Sequence, residues 1–362
     1  SPYLIPARLA KSGDNGKRRC FDRTGTEFIV DGFLNLNKPA GLTSHDCVAK
    51  VRRLLKLKRV GHGGTLDPAA TGVLPIAVGR ATRLLQYLPE GKAYRATVRF
   101  GVRTATDDLE GEVLERSPAP GLELGAIQAV LDQFCGTLQQ VPPSYSAIQV
   151  GGKRLYQLAR AGAAVDVPVR TVVVDHIEVL GWRSQDYPEL DLAIACGPGT
   201  YIRAIARDLG DLLGVGGTLA ALTRTTSCGF HLADSFTLEE LAAAVEQGRF
   251  QPIRPELGVA HLRAIALDEA LTFRWVRGQR MIVPASTGAI GEICRVHRDS
   301  GEFLGIGELQ QDAEGLAENG EDAEPANLAE TPEPAEPAKT EQVLLRVKLG
   351  FVDAVDQKAE GN

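Results

Sequence analysis

The hydrophobic pattern of the first two thirds of the chain mixes the strand period of two with the helix period of about 3.6. Alternating or β-rich runs cover four stretches: Phe33–Asn37, Tyr94–Phe100, Val169–Leu180 and Leu190–Cys196. Helical spacing is present in four others: the stretch with Val48, Val51 and Leu55 on one face, Arg80–Leu88, Gly125–Cys135 and Tyr201–Leu209. The pattern therefore predicts both strands and helices in this part of the chain.

Two of these helices have capping signals at their start. Thr43 or Ser44 is suited to cap the first helix, because a hydroxyl there can accept a hydrogen bond from a free backbone N–H. Thr200 follows the turn Gly197–Gly199 and is a fair N-cap for the helix from Tyr201 to Leu209. On that second helix Arg203 and Arg207 are four residues apart, so they share a face and either can neutralise a nearby carboxylate.

The pattern changes near Leu262, where residues 264–269 lead a helical stretch before the chain becomes β-rich. Three short strands are predicted there: Glu292–His297, Phe303–Leu309 and Val343–Leu349. The segment between the last two, Asp312 to Glu341, has low hydrophobicity and high charge, which predicts a disordered insertion in a hairpin loop. We therefore expect the following parts: an extension at 1–30, a main domain at 31–255, a β-rich domain at 262–351 containing the insertion 312–341, and a tail at 352–362.

The net charge of −6 conceals a basic folded part. The acidic segment alone carries ten acidic residues and one lysine, so its −9 leaves +3 for the rest of the chain. Six cations fall within ten residues at the end of the first helix: Lys50, Arg52, Arg53, Lys56, Lys58 and Arg59. Clustered positive charge suits phosphate binding, although a solvated helix face is the other interpretation.

Composition argues against several other classes of protein. The sequence has no apolar run of 18 residues, so no membrane partner is expected. Its six cysteines are scattered without a CxxC pair, and its six histidines lack ligand spacing, so we expect reduced thiols, no metal and a cytoplasmic location. The basic extension also admits a targeting peptide, without the apolar region of a signal peptide.

The stretch Gly61–Gly79, GHGGTLDPAATGVLPIAVG, is the strongest candidate for chemistry. Its glycines permit close backbone approach, and Pro68 biases Asp67 towards an extended or turn conformation. A carboxylate displayed there among small residues suits a nucleophile or base, whereas ordinary Asp-Pro turn chemistry is the alternative. The stretch matches neither nucleotide-phosphate motif, so no nucleotide cofactor is expected.

Several motifs in register resemble the TruB family of tRNA pseudouridine synthases. The first is GHGGTLDPAATGVLP, preceded by FLNLNKP at 33–39. KAYR at 92–95, with Phe100–Gly101 and residues 104–107, is the second, and CGPGTYIRAIARDLG at 196–210 is the third. The similarity extends from about Gly32 to Phe230. It implies an α+β fold, with a mixed, largely antiparallel sheet and flanking helices, an RNA-gripping insertion at about 141–170, and a small β-rich, PUA-like C-terminal domain.

The resemblance also implies roles for individual residues. Asp67 matches the catalytic aspartate, Arg203 the arginine that pairs with it, and Tyr94 the tyrosine that lies against the flipped base. His62 matches a histidine that orders the everted nucleotides, and Leu222 is a candidate wall of the base pocket. The remaining candidates for RNA or substrate binding are Gly64, Thr65, Tyr201 and Lys38 in the matched motifs, and Lys153 and Arg154 in the insertion, where Tyr145 and Tyr156 are interleaved with the cations.

The implied activity is isomerisation of the T-loop uridine at conventional tRNA position 55 by a monomer that needs no cofactor, metal or guide RNA. Three alternatives remain open. One is a guide-RNA-dependent synthase of a ribonucleoprotein, against which the insertion at 141–170 argues. Another is a tRNA-folding chaperone without catalysis. The third is a synthase for ribosomal RNA, whose families tend to carry Arg-Leu-Asp where this chain has Thr65-Leu66-Asp67.

Overall fold

The computed structural model describes residues 31–144, 167–311 and 342–351, together with the backbone of short strands at 7–9, 20–22, 27–28, 149–150 and 153–154. The predicted acidic insertion and C-terminal tail lie outside the described residues, as do most of the N-terminal extension and most of the RNA-gripping insertion. The chain divides into two compact units, Ser1–Arg254 and Pro255–Asn362.

The described part of the first unit is built on a nine-stranded sheet. The strands of this unit are β1 Gly32–Lys38, β2 Val60–His62, β3 Thr71–Val78, β4 Lys92–Phe100, β5 Val102–Thr104, β6 Val113–Arg116, β7 Gly136–Gln140, β8 Arg170–Arg183, β9 Glu189–Cys196, β10 Gly217–Ser227 and β11 Phe230–His231. Within the sheet the order is β7-β8-β9-β4-β10-β3-β1, with β2 paired to β3 and β11 to β10, while β5 and β6 form a separate hairpin. Only the β3–β10 pair is parallel among these described strands, so the expectation of a largely antiparallel mixed sheet is confirmed.

The helices of this unit are α1 Ser44–Leu55, a 3-10 helix at Gly79–Tyr87, α2 Leu124–Leu131, α3 Ile202–Leu212 and α4 Leu238–Glu246. The Thr43 hydroxyl caps α1 by accepting from Asp46 N, and the Asp46 carboxylate accepts from Thr43 N in return, which completes a capping box. The prediction that Thr200 caps α3 is wrong. The N-cap position is Tyr201, and the Thr200 hydroxyl instead donates to the carbonyl of Gly197.

Two apolar clusters hold this unit together. In the first, the buried face of α3 packs with the inner residues of β4 and β9. In the second, α1 packs with residues of β1 and β3. The segment between β2 and β3, which carries Asp67, joins the two: Leu66 is buried in the first cluster, whereas Val60 and Leu74 on either side belong to the second. The Asp67 segment is therefore fixed at both ends and in its middle.

The parallel pair β3–β10 depends on a glycine. Gly72 has φ +103, and a Cβ placed on it would lie 2.2 Å from the carbonyl oxygen of Arg224. We expect Gly72→Ala to lower the free energy of unfolding by at least about 3 kcal/mol, because backbone strain and a backbone clash act together. Gly41→Ala is the matched control, since Gly41 also has positive φ but no atom within 4 Å of the added Cβ. Urea denaturation should show a cost of about 1–2 kcal/mol for the control; equal costs would contradict the clash.

The second unit is β-rich, as predicted. Its described elements are α5 Pro255–Gly258, β12 Arg263–Leu267, α6 Glu269–Val276, β13 Met281–Pro284, β14 Ile293–Arg298, β15 Phe303–Gln311 and β16 Gln342–Gly350, with the sheet order β12-β14-β15-β16-β13. Residues 264–267 are a strand and not part of a helix, because Ile265 and Leu267 alternate into the core; the helix starts only after the cap Asp268. Strand β13 was not predicted.

Candidate active site

Asp67 lies in an irregular segment, residues 63–70, between β2 and β3. The prediction that Asp67 is outside any helix is confirmed. Its carboxylate is 40% exposed, whereas its neighbour Leu66 is buried. Its backbone is bonded in part by main-chain groups, with Ala70 N donating to Asp67 O and Gly41 N donating to Pro68 O. Side chains from other elements supply further partners.

Two residues from the β1–α1 region hold the segment around Asp67. The hydroxyl of Ser44 accepts from Leu66 N at 2.9 Å and donates to Leu66 O at 3.1 Å. The ammonium of Lys38 donates to the carbonyls of Pro39, Leu42 and Pro68, at 2.9, 2.7 and 3.0 Å. Residues immediately before and after Asp67 are thus bonded to the same support.

Lys38 does not fit its predicted role in RNA binding. Its side chain is fully buried, and its three donors are all engaged by carbonyl oxygens. Burial lowers the pKa of the Lys38 ammonium, and its interactions with Cys47 and Asp67 oppose that shift. Its position supports the Asp67 segment and leaves no donor for a phosphate.

Arg224 holds the other end of the segment. Its guanidinium, 0% exposed, donates to the carbonyls of Val73, Thr65 and Gly64 at 2.7, 3.1 and 3.2 Å. Cys228, further along the same strand and turn, hydrogen-bonds the carbonyl of Gly63 at 3.3 Å. Sequence reasoning missed Arg224. The strand that carries Arg224 has partly exposed positions as well as buried ones, so its sequence alone did not mark Arg224 as a buried residue.

Arg203 joins two carboxylates. Its Nε lies 3.1 Å from Asp67 Oδ2 and its Nη1 lies 3.3 Å from Asp108 Oδ2. Nη1 also donates to the carbonyl of Thr106 at 2.9 Å. Only 6% of the Arg203 side chain is exposed, so this contact is formed largely away from water. The structure therefore brings together Asp67 and Arg203, the pair expected from the sequence, and adds Asp108, which was not predicted.

Arg207 faces a different pair of carboxylates. It contacts Asp107 and Asp208, each at 2.8 Å. Burial raises the pKa of Asp107, and the Arg207 charge opposes that shift. Arg203 and Arg207 share a helix face as expected, but only Arg203 touches Asp67. The contacts of Arg207 support the α3 region.

Tyr94 is on β4 directly opposite Arg224 in the sheet. Its ring is only 7% exposed and belongs to the same apolar cluster as Leu66 and Ala70. Burial raises the pKa of the Tyr94 phenol to about 12, against an opposing contribution from Arg224. The hydroxyl therefore keeps its proton at neutral pH, and stacking on a base requires the ring to become more accessible.

The raised pKa of Tyr94 has a consequence for stability at alkaline pH. Above pH 10 the unfolded chain releases the phenolic proton while the folded chain retains it up to about pH 12, so stability falls as the pH rises. Between pH 9 and 12, wild type should lose about 2–3 kcal/mol more unfolding free energy than Tyr94→Phe. The free energy of unfolding of both proteins, measured by chemical denaturation across this pH range, tests this prediction. An equal loss of unfolding free energy in the two proteins would contradict it.

His62 ends strand β2, near Gly64. Its ring makes an edge contact with His45, with 5.3 Å between centroids. Burial lowers the pKa of His62, and the His45 charge lowers it further. The imidazole is consequently neutral at pH 7, and a neutral ring suits stacking or hydrogen bonding better than phosphate pairing.

The other predicted residues have varied surroundings. Gly64 has φ +113, which favours glycine, and Thr65 is exposed. Leu222 is partly buried against the first core, and the backbone of Tyr201 bonds both side-chain amide atoms of Gln140. The backbone strand 153–154 pairs with 149–150, but the side chains of Lys153 and Arg154 lie outside the described residues, as do Tyr145 and Tyr156.

The cationic cluster at 50–59 is exposed at all six of its charged positions. Within the residues that the structure describes, no three His, Cys, Asp or Glu side chains come close enough to hold a metal ion. No helix in that part of the chain is long and apolar enough to span a membrane.

Comparison with known families gives a consistent match along the chain. Residues 52–202 match the N-terminal domain of TruB family pseudouridylate synthases, and residues 203–268 match the C-terminal domain of tRNA pseudouridylate synthase B. Residues 264–314 match the C-terminal model described as pseudouridine synthase II TruB.

Curated relatives cover most of the chain. A protein of Trichormus variabilis named tRNA pseudouridine synthase B is 57% identical over 281 residues, which are 78% of this chain and 95% of that protein. A Synechocystis protein of the same name is 58% identical over 254 residues, covering 70% of this chain and 86% of that one.

Solved structures confirm the fold. A structure titled as a Cbf5-Nop10-Gar1 complex superposes with a TM-score of 0.63 at 25% identity, covering 97% of this chain and 94% of that one. An archaeal box H/ACA sRNP Nop10-Cbf5 complex gives a TM-score of 0.56 at 28% identity, with 79% and 81% covered. On the combined strength of the family models and the relatives of more than half identity, this chain belongs to the TruB family of pseudouridylate synthases.

Proposed function

We propose that this protein converts the T-loop uridine at conventional position 55 of tRNA to pseudouridine, without a guide RNA. The two relatives described above, at 57% and 58% identity, are both named tRNA pseudouridine synthase B. The observation that carries the proposal is the half-exposed Asp67 carboxylate, held 3.1 Å from Arg203 on a segment that buried side chains keep in place. Such a group is ready to react without rearrangement of its support.

In the proposed reaction the N-glycosidic bond breaks, the base turns, and C5 bonds to C1′ of the ribose. The C5 proton is released and N1 takes up a proton, so the product is an isomer of the substrate. Asp67 adds covalently, either to C6 of the base or to C1′, and leaves again when the new bond has formed.

Arg203 is proposed to orient the Asp67 carboxylate. One guanidinium nitrogen contacts Asp67 while another contacts Asp108, so the two carboxylates together fix the plane of the guanidinium. Asp108 has no direct contact with Asp67 in this arrangement. We assign it a positioning role that acts through Arg203.

The uridine is proposed to leave its stack before reaction, because a base inside folded RNA cannot contact Asp67. Extrusion costs roughly a few kcal/mol, and aromatic stacking returns about 1–3 kcal/mol per base. Tyr94 and Leu222 are the proposed walls of the base site, and His62 the residue that contacts the displaced nucleotides. Because the Tyr94 phenol keeps its proton at neutral pH, we propose stacking and hydrogen bonding for it and not a resident phenolate base.

Two further features support a cytoplasmic RNA enzyme. The exposed cations at 50–59 can attract the tRNA backbone at longer range. Five cysteines, Cys47, Cys135, Cys196, Cys228 and Cys294, are free thiols, which suits a reducing compartment.

Mapping pseudouridine in a tRNA transcript tests the proposal. Purified full-length protein should modify an unmodified transcript at position 55 alone, with no added RNA. A transcript with cytidine at that position should remain unmodified. Modification of other sites, or none, would overturn the assignment to the T loop.

One observation favours the guide-dependent alternative. The fold of this protein is similar to the folds in two Cbf5 complexes, at 25% and 28% sequence identity. The relatives named tRNA pseudouridine synthase B are about twice as similar in sequence. Adding a box H/ACA guide RNA to the mapping reaction separates the two. Activity that appears only with the guide would favour the alternative.

A further inference from the structure

Lys92 is a second cation beside the Asp67 segment, and none of the roles described above uses it. It is the first residue of β4, where its backbone pairs with Cys196 on one side and Ser227 on the other. Because side chains alternate along a strand, Lys92 is on the same face as Tyr94, two residues further on. The side chain is partly exposed, whereas the Tyr94 ring is buried.

The end of the Lys92 side chain lies over the catalytic segment. A Cβ placed on Gly64 would be 3.9 Å from Lys92 Cε and the same distance from Arg224 Nη1. The groups that affect its charge are the Arg224 guanidinium, the Cys228 and Cys196 thiols, and the Glu90 carboxylate. Lys92 therefore faces the segment that carries Asp67. The residue that it approaches, Gly64, is three positions before Asp67 in the sequence.

Lys92 differs from the other cations around this segment because its donors are free. Among the described residues its ammonium forms neither a hydrogen bond nor an ion pair. By contrast, Lys38 and Arg224 each donate to three carbonyls, and Arg203 binds two carboxylates. Burial is the main reason that the pKa of Lys92 is lowered, with Arg224 next. A partly buried ammonium without an anion is stabilised when one arrives.

We propose that Lys92 binds a backbone phosphodiester next to the target uridine. This assignment rests on the proposed function, since RNA supplies the anion. A phosphate is the group of that substrate that carries full negative charge, and a lysine ammonium binds it as a point charge. Fixing a phosphate over Gly64 would hold the ribose of the extruded nucleotide close to Asp67.

The salt dependence of RNA binding tests the charge contact. The probe is a T-arm stem-loop RNA, and its dissociation constant is measured over a range of KCl concentrations. Lys92→Gln should bind about tenfold more weakly at low salt, and the slope of log affinity against log salt should fall by about one. Lys92→Arg should keep the wild-type slope. Arg95→Gln is the matched control, because it removes one charge from the opposite face of the same strand and should leave the slope unchanged.

A chemical change in the RNA identifies which phosphate Lys92 binds, because the loss of affinity is measured with the wild-type protein as well as with the variant. Neutral methylphosphonate is placed at one linkage at a time around the target uridine. At one linkage wild type should lose about tenfold in affinity, and Lys92→Gln should lose nothing further there. An unchanged slope for Lys92→Gln, or equal losses in both proteins at every linkage, overturns the assignment. If wild type binds the stem-loop no better than a scrambled RNA, the proposed function itself fails.

Discussion

Asp67→Asn is expected to abolish pseudouridine formation while leaving RNA binding within about threefold of wild type. An amide has nearly the shape of a carboxylate but cannot add covalently to the substrate. Removal of a covalent nucleophile typically costs at least about 10⁴-fold in rate. The residue is 40% exposed and its side chain does not support the surrounding backbone, so folding should be preserved.

Single-turnover kinetics with excess enzyme, together with equilibrium binding, measure both halves of this prediction. Asp108→Asn is the informative comparison, because it also replaces a carboxylate that contacts Arg203 but does not remove Asp67. We expect that variant to be slower by about tenfold to a hundredfold, through loss of orientation alone. Equal losses for the two variants would mean that Asp67 has no special role. Tight binding without catalysis in wild type would instead favour the tRNA chaperone.

Arg203→Gln is expected to reduce both stability and rate. Asp67 and Asp108 lose their shared guanidinium, and the Asp108 side chain is only 13% exposed. Removing one partner of a largely buried ion pair costs about 3–5 kcal/mol. The rate should fall at least about a hundredfold, because the Asp67 carboxylate is no longer held in one orientation. Thermal unfolding and single-turnover rates test the two effects separately.

A double variant distinguishes the two consequences. In Arg203→Gln/Asp108→Asn the uncompensated charge of Asp108 is gone, so part of the stability should return while the rate stays low. Arg207→Gln is a matched control one helical turn away, because Arg207 contacts Asp107 and Asp208 but not Asp67. It should be destabilised, with a rate within about fivefold of wild type. Rates for Arg203→Gln as high as those for Arg207→Gln would contradict the orienting role.

The sequence predicted the parts of the fold that depend on local pattern. Alternation in Tyr94–Phe100 identified a strand, and the hydroxyl of Thr43 before an amphipathic run identified the start of α1. Residues 264–267 were placed in a helical stretch, since an apolar run of four residues fits either period. The structure shows that this segment is a strand, because it pairs with β14.

Residues of the candidate site could be predicted where they lie in a sequence motif. Residues whose role depends on tertiary contacts could not. Asp67 and Arg203 were identified from motifs that are 136 positions apart, and the structure places them in contact. Lys38 was assigned to RNA or substrate binding because it lies in a matched motif, but its ammonium is enclosed by three carbonyls. Asp108 and Arg224 have no local signal of their function. Each acquires it from a partner that is distant in the sequence.

The central claim is that Asp67 is the reacting carboxylate of an enzyme that needs no guide. It is tested most directly by tritium release from a T-arm stem-loop labelled at C5 of uridine, with wild type and Asp67→Asn compared side by side. We predict release by wild type alone, in the absence of any other RNA. Release by both proteins would mean that a different group reacts, and release by neither, with RNA binding intact, would contradict the assignment of this protein as a stand-alone enzyme.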